Sequence, residues 1–417
     1  MLNLRYFTKS PLSTMVTGLL AILVVICVVY SPGEAFQASG VGLTIWWRIV
    51  FPALLPFVVL SQILLARGFA HGLGTLLDPF TRRLLGLPGY TGWVLALGMT
   101  AGFPAAADAA AALYKQGRVS SQEAERIAAV SHFCSPMLLV IVIGAGFVGR
   151  PEFGLLLLAV HWAAGLLAGI TLHQLWPERP ELATSGSEAK RLESSKPSPS
   201  QQRSSLFRLA LRRMEQARQE DGRTFGKLLG DSVASGVQTL MVIGGYMLIF
   251  AVILHVLLLA LPSQPVFISL LKSTLEVHLG TFALSELSPA PIAPALSAAL
   301  LGVVLGWSGL CAYLQVRAIL SPAGINERTF LFSRLLHGIY AYVLTLLLWK
   351  PFIHWMPGIV PAFSGNRSLT LDRNALASWR PDWQLAFGVM KWQLFMLVLL
   401  ILGFAVIANL WRRPNQR

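Results

Sequence analysis

Apolar residues run along this chain in blocks of about 20, set apart by short polar or Gly- and Pro-marked breaks, and a helix of that length crosses a ~30 Å hydrocarbon core. The first clean block is 15–30, preceded by Arg5 and Lys9. Residues 31–33 end it, and a second span is predicted at 46–66, kinked at Pro52 and Pro56. From 67 to 86 apolar residues alternate with Asp78, Arg82 and Arg83, the pattern of a helix lying in the membrane interface.

Residues 90–116 are a long apolar stretch that Gly102-Phe103-Pro104 cuts in the middle. Gly and Pro both disfavour a helix interior, so this stretch is predicted to enter the membrane and return as a hairpin. Ser120 and Glu123 form an S-x-x-E capping box that starts the next helix. His132-Phe133-Cys134-Ser135-Pro136 interrupts that helix, which resumes through Val148, and 153–176 is an ordinary span. The apolar pattern stops between 177 and 222, first in a stretch whose composition is that of a disordered linker. Residues 206–218 then read as a basic amphipathic helix suited to an anionic membrane surface.

The second half follows a similar order. A span at 233–260 precedes an apolar segment, 266–284, carrying Lys272, Glu276 and His278. A long apolar stretch, 290–320, is cut at Gly306-Trp307-Ser308-Gly309. A span at 330–348, a polar loop at 361–382 and a last span at 384–410 complete the chain.

The two broken stretches match at one offset: Gly102 with Gly309, Asp108 with Gln315 and Gly117 with Gly324, each 207 residues apart. Broken helices at corresponding positions of two halves point to a substrate site near the bilayer midplane. The predicted fold is therefore an all-α polytopic membrane protein with two inverted repeats, each holding a re-entrant helical hairpin and a broken transmembrane helix, in roughly eight spans. Its divisions are 1–66 (N-terminal helices), 67–176 (first repeat), 177–224 (cytoplasmic basic linker), 225–349 (second repeat), 350–386 (polar loop) and 387–417 (last helix and basic tail).

Composition agrees with this reading. The chain is 55% hydrophobic and 12% charged, with mean hydropathy +0.62, whereas soluble domains carry about 25% charged residues. The net charge of +14 sits in loops and tails, which marks cytoplasmic loops beside a lipid bilayer and not a nucleic-acid surface. Starting inside, two spans, a hairpin and two more spans return the basic linker to the cytoplasm. Inverted-repeat logic puts the C-terminus outside, while Arg412, Arg413 and Arg417 put it inside. Cys27, Cys134 and Cys311 lie in apolar stretches without CxxC spacing, so no disulfide framework, metal site or cofactor is expected.

A set of motifs spans nearly the whole chain: Trp47-Arg48-Ile49-Val50-Phe51-Pro52, Leu54-Leu55-Pro56-Phe57 and Gly102-Phe103-Pro104. Glu123-Ala124-Glu125-Arg126, Ser135-Pro136, Leu275-Glu276-Val277 and Arg334-Leu335-Leu336-His337 complete it. At these residues the chain resembles the YlbJ-type sporulation integral membrane proteins, part of the wider group carrying a nucleoside-recognition Gate domain and related to concentrative nucleoside transporters. The resemblance implies interfacial helix, hairpin, broken helix and span, repeated in inverted form. It also implies a cell-membrane protein of endospore formation, in the outer forespore membrane, linked to moving dipicolinic acid from mother cell toward forespore. Relatives of the wider fold form trimers, which makes a homo-oligomer an expectation. The chain departs from the family pattern at Ser131-His132-Phe133-Cys134, at Asp108 and at His278-Leu279, all at the expected site.

Pro104 and Pro136 each stand where a half-helix begins, a position Pro favours. The first N–H groups and the helix dipole then point at the break and favour an anion. The expected substrate-binding residues are Gly102, Phe103, Pro104, His132, Cys134, Ser135, Glu276, His278, Ser308, Gly309 and Gln315, with no catalytic residue. Asp108 and Glu276 are candidates for a coupling ion or proton, because a membrane carboxylate costs several kcal/mol unless paired or hydrated. Asp108 can equally neutralise Arg126 or Lys115, or face water near the interface. Each break also has a plainer reading as a packing kink, each membrane histidine as a hydrogen-bonded core residue, and Arg317 and Arg334 as snorkelling cations.

The function expected is transport of a small organic anion by alternating access, with dipicolinate leading through resemblance and a nucleoside as the alternative. A non-transporting scaffold is a third reading, although irregular backbone at membrane depth serves it poorly. The fourth rests on Gly306-Trp307-Ser308-Gly309, which matches the G-x-S-G of rhomboid intramembrane proteases, with His337 as a base.

Overall fold

A computed structural model describes residues 11–88, 91–175, 206–259, 261, 264–287, 294–325 and 328–355, which are mostly helical with no strand among them. The linker at 177–205, the polar loop at 361–382 and the last span with its basic tail lie outside the described residues. Among the described residues, five helices are long and apolar enough to cross a membrane.

Helix α1 is Pro11–Tyr30. Helix α2 then runs unbroken over Pro32–Ala66, 35 residues, and not as the shorter kinked span that Pro52 and Pro56 predict. The reason is a π-helical turn at Trp46–Val50, where the Phe51 N–H reaches Trp46 O. Widening the turn just before Pro52 accommodates a residue that brings no N–H and crowds the preceding turn.

Helix α3, Phe69–Leu84, carries its apolar positions on one side and packs on α4, Gly92–Ala101, where Gly74 lies against Trp93. The chain reverses at Gly102 into α5, Phe103–Lys115, which packs beside α4 as a hairpin. Helix α6, Ser121–Val130, begins at the expected capping box: Ser120 N–H donates to Glu123 Oε2 (2.7 Å) and Glu123 N–H to Ser120 Oγ (3.1 Å). Non-helical backbone follows, then a π-helical segment α7, Leu138–Phe147, and the span α8, Pro151–Leu175.

Helix α9, Leu206–Asp221, docks on α3 through Met214, which fills the space left by Gly68 and Gly72. Helix α10, Phe225–Leu258, packs along α2; Trp46 Nε1 donates to Leu240 O (2.9 Å), and its indole lies on Gly244. Next come α11, Pro265–Leu275, and α12, Val277–Glu286, which fold back on each other with Gly280 against Ser273. Helices α13, Pro294–Trp307, and α14, Gly309–Leu320, form a broken span, and α15, Arg328–Trp355, follows.

This order corrects the 207-residue alignment. The hairpin of the second half is α11–α12, turned at Glu276, and Gly309 lies in the broken span that follows. Glycine marks a turn only where backbone needs positive φ. Glu276 is extended (φ −144°, ψ 128°) and makes its turn with a side-chain cap instead.

Candidate functional site

In each half the hairpin turn packs on the break of the following helix. Gly102 adopts φ 98°, ψ 173°, a region open essentially to glycine, and a β-carbon there would lie 3.6 Å from Ser135 N and Cβ. In the second half Gly309 (φ 82°) fits against the other turn, where a β-carbon would come within 3.1 Å of Leu275 O and Val277 N. The two breaks meet each other as well: Cys134 Sγ donates to Leu305 O (3.8 Å), the carbonyl that also accepts from Ser308 Oγ (3.0 Å). Gly102, Cys134, Ser135, Glu276, Ser308 and Gly309 thus form one chain of contacts through the molecule, with Pro104 opening α5 beside it.

Two of the expected residues stand apart. Asp108 lies on the exposed face of α5, and Gln315 donates from Nε2 to Cys311 Sγ (3.3 Å), two turns along α14 from its break. The helix starts at the breaks also differ. Leu138 N–H donates to Ser135 Oγ (3.3 Å) at the first. At the second turn Glu276, 1% exposed, accepts from Leu279 N–H (2.7 Å) through Oε2 and bonds His278 Nδ1 (2.7 Å) through Oε1. A carboxylate of the chain itself occupies the positive end of α12. The start of α5 holds no such carboxylate; its Phe103 ring stacks on His132 at 4.4 Å.

A buried polar cluster beside the first break joins His132, His161, Arg334 and His337, drawn from segments far apart along the sequence. Arg334 of α15 is 2% exposed and donates through Nη1 to His132 O (2.8 Å) and His337 Nδ1 (3.1 Å). Its Nη2 donates to Ala129 O (2.6 Å) and Ser333 Oγ (3.3 Å), and its Nε has no partner. Those carbonyls are the ones the break at 131–135 frees from helical bonding, so the guanidinium closes the break. His337 Nε2 donates to His161 O (2.9 Å), and His161 Nε2 accepts the Cys134 N–H (3.0 Å). Among the described residues no carboxylate pairs with Arg334, and its plane lies over Phe330, 5.5 Å from the centroid. The snorkelling reading of Arg334 is therefore corrected: the side chain turns inward.

The same bonds bear on the protease reading. Ser308 Oγ donates to Leu305 O (3.0 Å), and both His337 nitrogens are engaged with Arg334 and His161. Ser308 and His337 form no hydrogen-bonded dyad, which a serine nucleophile requires.

Fold and site together define a polytopic helical membrane protein built around helix breaks, with a buried cation at their centre. The Gate family, described as nucleoside recognition, matches residues 47–151, from the π turn of α2 to the end of the first broken helix. The sporulation integral membrane protein YlbJ of Bacillus subtilis (strain 168) is 31% identical over 410 residues, covering 94% of this chain and 96% of that protein. The chain belongs to this family of sporulation integral membrane proteins. No solved structure matches it.

Proposed function

We propose that this protein is a transporter that carries a small organic anion across a membrane of the sporulating cell by alternating access. The observation that carries the reading is Arg334, a buried guanidinium bonded to carbonyls, a hydroxyl and an imidazole but to no carboxylate. A buried cation without a counter-ion is costly, and an anion entering between the breaks relieves that cost. The uncapped start of α5 adds its dipole on the same side. Dipicolinate, a flat aromatic dicarboxylate, is the substrate proposed, moving toward the forespore through its outer membrane. The family's sporulation role supports it, and the stacked Phe103–His132 pair suits a planar ring. The Gate match favours a second reading in which the planar ligand is a nucleoside.

Uptake of labelled dipicolinate into proteoliposomes tests the proposal. The expected result is saturable uptake by the full chain, reduced about 10- to 100-fold in Arg334→Gln, the range for losing a charged hydrogen bond. Arg334→Lys, which keeps the charge and loses the two-carbonyl grip, should fall between them. Uptake of a labelled nucleoside without dipicolinate would replace the substrate, and movement of neither would leave the scaffold reading.

A further inference from the structure

The buried imidazoles of the cluster differ in what they can still do. Arg334 donates to His337 Nδ1, so His337 carries its proton on Nε2, which donates to His161 O. The Cys134 N–H donates to His161 Nε2, so His161 carries its proton on Nδ1. Both rings are neutral and held in one tautomer. A second proton on either would set donor against donor and break a bond already made.

His132 is different. It is 1% exposed, and neither Nδ1 nor Nε2 has a partner. It can accept a proton without losing a bond, and what opposes that proton is first its burial and then the charge of Arg334. Arg334 donates to the backbone carbonyl of His132 (2.8 Å), which keeps the guanidinium beside that residue, and a cation there repels a second one in a dry interior. The other groups around it supply no compensation. α5 presents the Phe103 ring, with Asp108 on the exposed face, and α15 presents Phe330, Arg334 and the neutral His337. α8 presents the neutral His161, the break itself the Cys134 thiol, and Glu125 of α6 accepts the Thr329 N–H (2.6 Å).

We infer that the anion travels with a proton and that His132 is the residue that holds it. The inference rests on the anion reading above. A dianion meeting Arg334 removes the repulsion, and one proton from solvent then converts His132 to imidazolium against the second carboxylate. The coupling is reciprocal: a proton on His132 raises anion affinity by the factor by which the anion favours that proton.

Calorimetric titration of dipicolinate into the purified full chain tests this, run in two buffers of different protonation enthalpy and over a pH series. Wild type should take up close to one proton per anion, with Kd rising about tenfold per pH unit on the alkaline side. His132→Gln should still bind, with no proton uptake and an affinity that does not change with pH. Binding without proton uptake by wild type overturns the inference and leaves the anion reading standing. Proton uptake retained in His132→Gln also overturns it and moves the proton to another group. If His132→Gln does not fold, His132→Asn takes its place and is read against the same outcomes. Absence of binding counts against both readings.

Discussion

The two oxygens of Glu276 act separately, Oε2 capping α12 through Leu279 N–H and Oε1 binding His278. Glu276→Ala removes both bonds and leaves a buried N–H and an imidazole unpaired. We expect a loss of about 1–3 kcal/mol, seen as a lower Tm in detergent. Glu276→Gln should stay close to wild type, because its carbonyl can keep the cap and its amide can donate to His278. Equal Tm losses in the two variants would show that the negative charge, and not the bonding pattern, is what the turn needs. The sequence makes Glu276 conspicuous as a carboxylate in an apolar run, and only the fold reveals that it caps its own helix. Arg334 and His161 were legible in part. Arg334 and His337 share a face at i, i+3 in an apolar span, and His161 lies in the middle of another. Their meeting depends on contacts 176 to 205 residues apart, which no local pattern carries.

Helices announced themselves where punctuation was explicit. The capping box at Ser120, the Gly-Phe-Pro turn, the Ser-Pro break and the amphipathic α9 all lie where the residue pattern put them. The α11–α12 turn was missed because it contains neither Gly nor Pro, and the π turn in α2 because it repairs a kink that Pro52 would otherwise impose. Gly102 offers a test of how far a turn depends on its glycine. Its surroundings leave room for a methyl group, with the nearest atoms at 3.6 Å, so any penalty in Gly102→Ala is backbone strain. At φ 98°, ψ 173° that strain is about 1–3 kcal/mol, and Tm should drop accordingly. Gly117→Ala, at φ 66° in open space, should lose less, since the left-handed region tolerates a side chain better. A ranking in which Gly117→Ala loses more would mean that the hairpin turn relaxes freely.

Alternating access requires that one packed unit move against another, and the contacts suggest where the boundary runs. α2 and α10 lie along each other over most of their lengths, joined by Trp46 to Leu240 O and by Gly42 against Ala251. The hairpins and broken helices instead meet through turns, where small changes of backbone angle move whole half-helices. A β-carbon on Gly42 would stand 3.2 Å from Ala251 Cβ, near the 3.5–4.5 Å separation a disulfide takes up. Gly42→Cys with Ala251→Cys should therefore cross-link on oxidation, and uptake should continue at close to the reduced rate, because the lock lies inside the static unit. Oxidised wild type controls for Cys27, Cys134 and Cys311. If oxidation stops uptake in the double variant alone, α2 must slide on α10 during the cycle. The helix breaks would then be the fixed floor of the site, and its walls, not its centre, would do the moving.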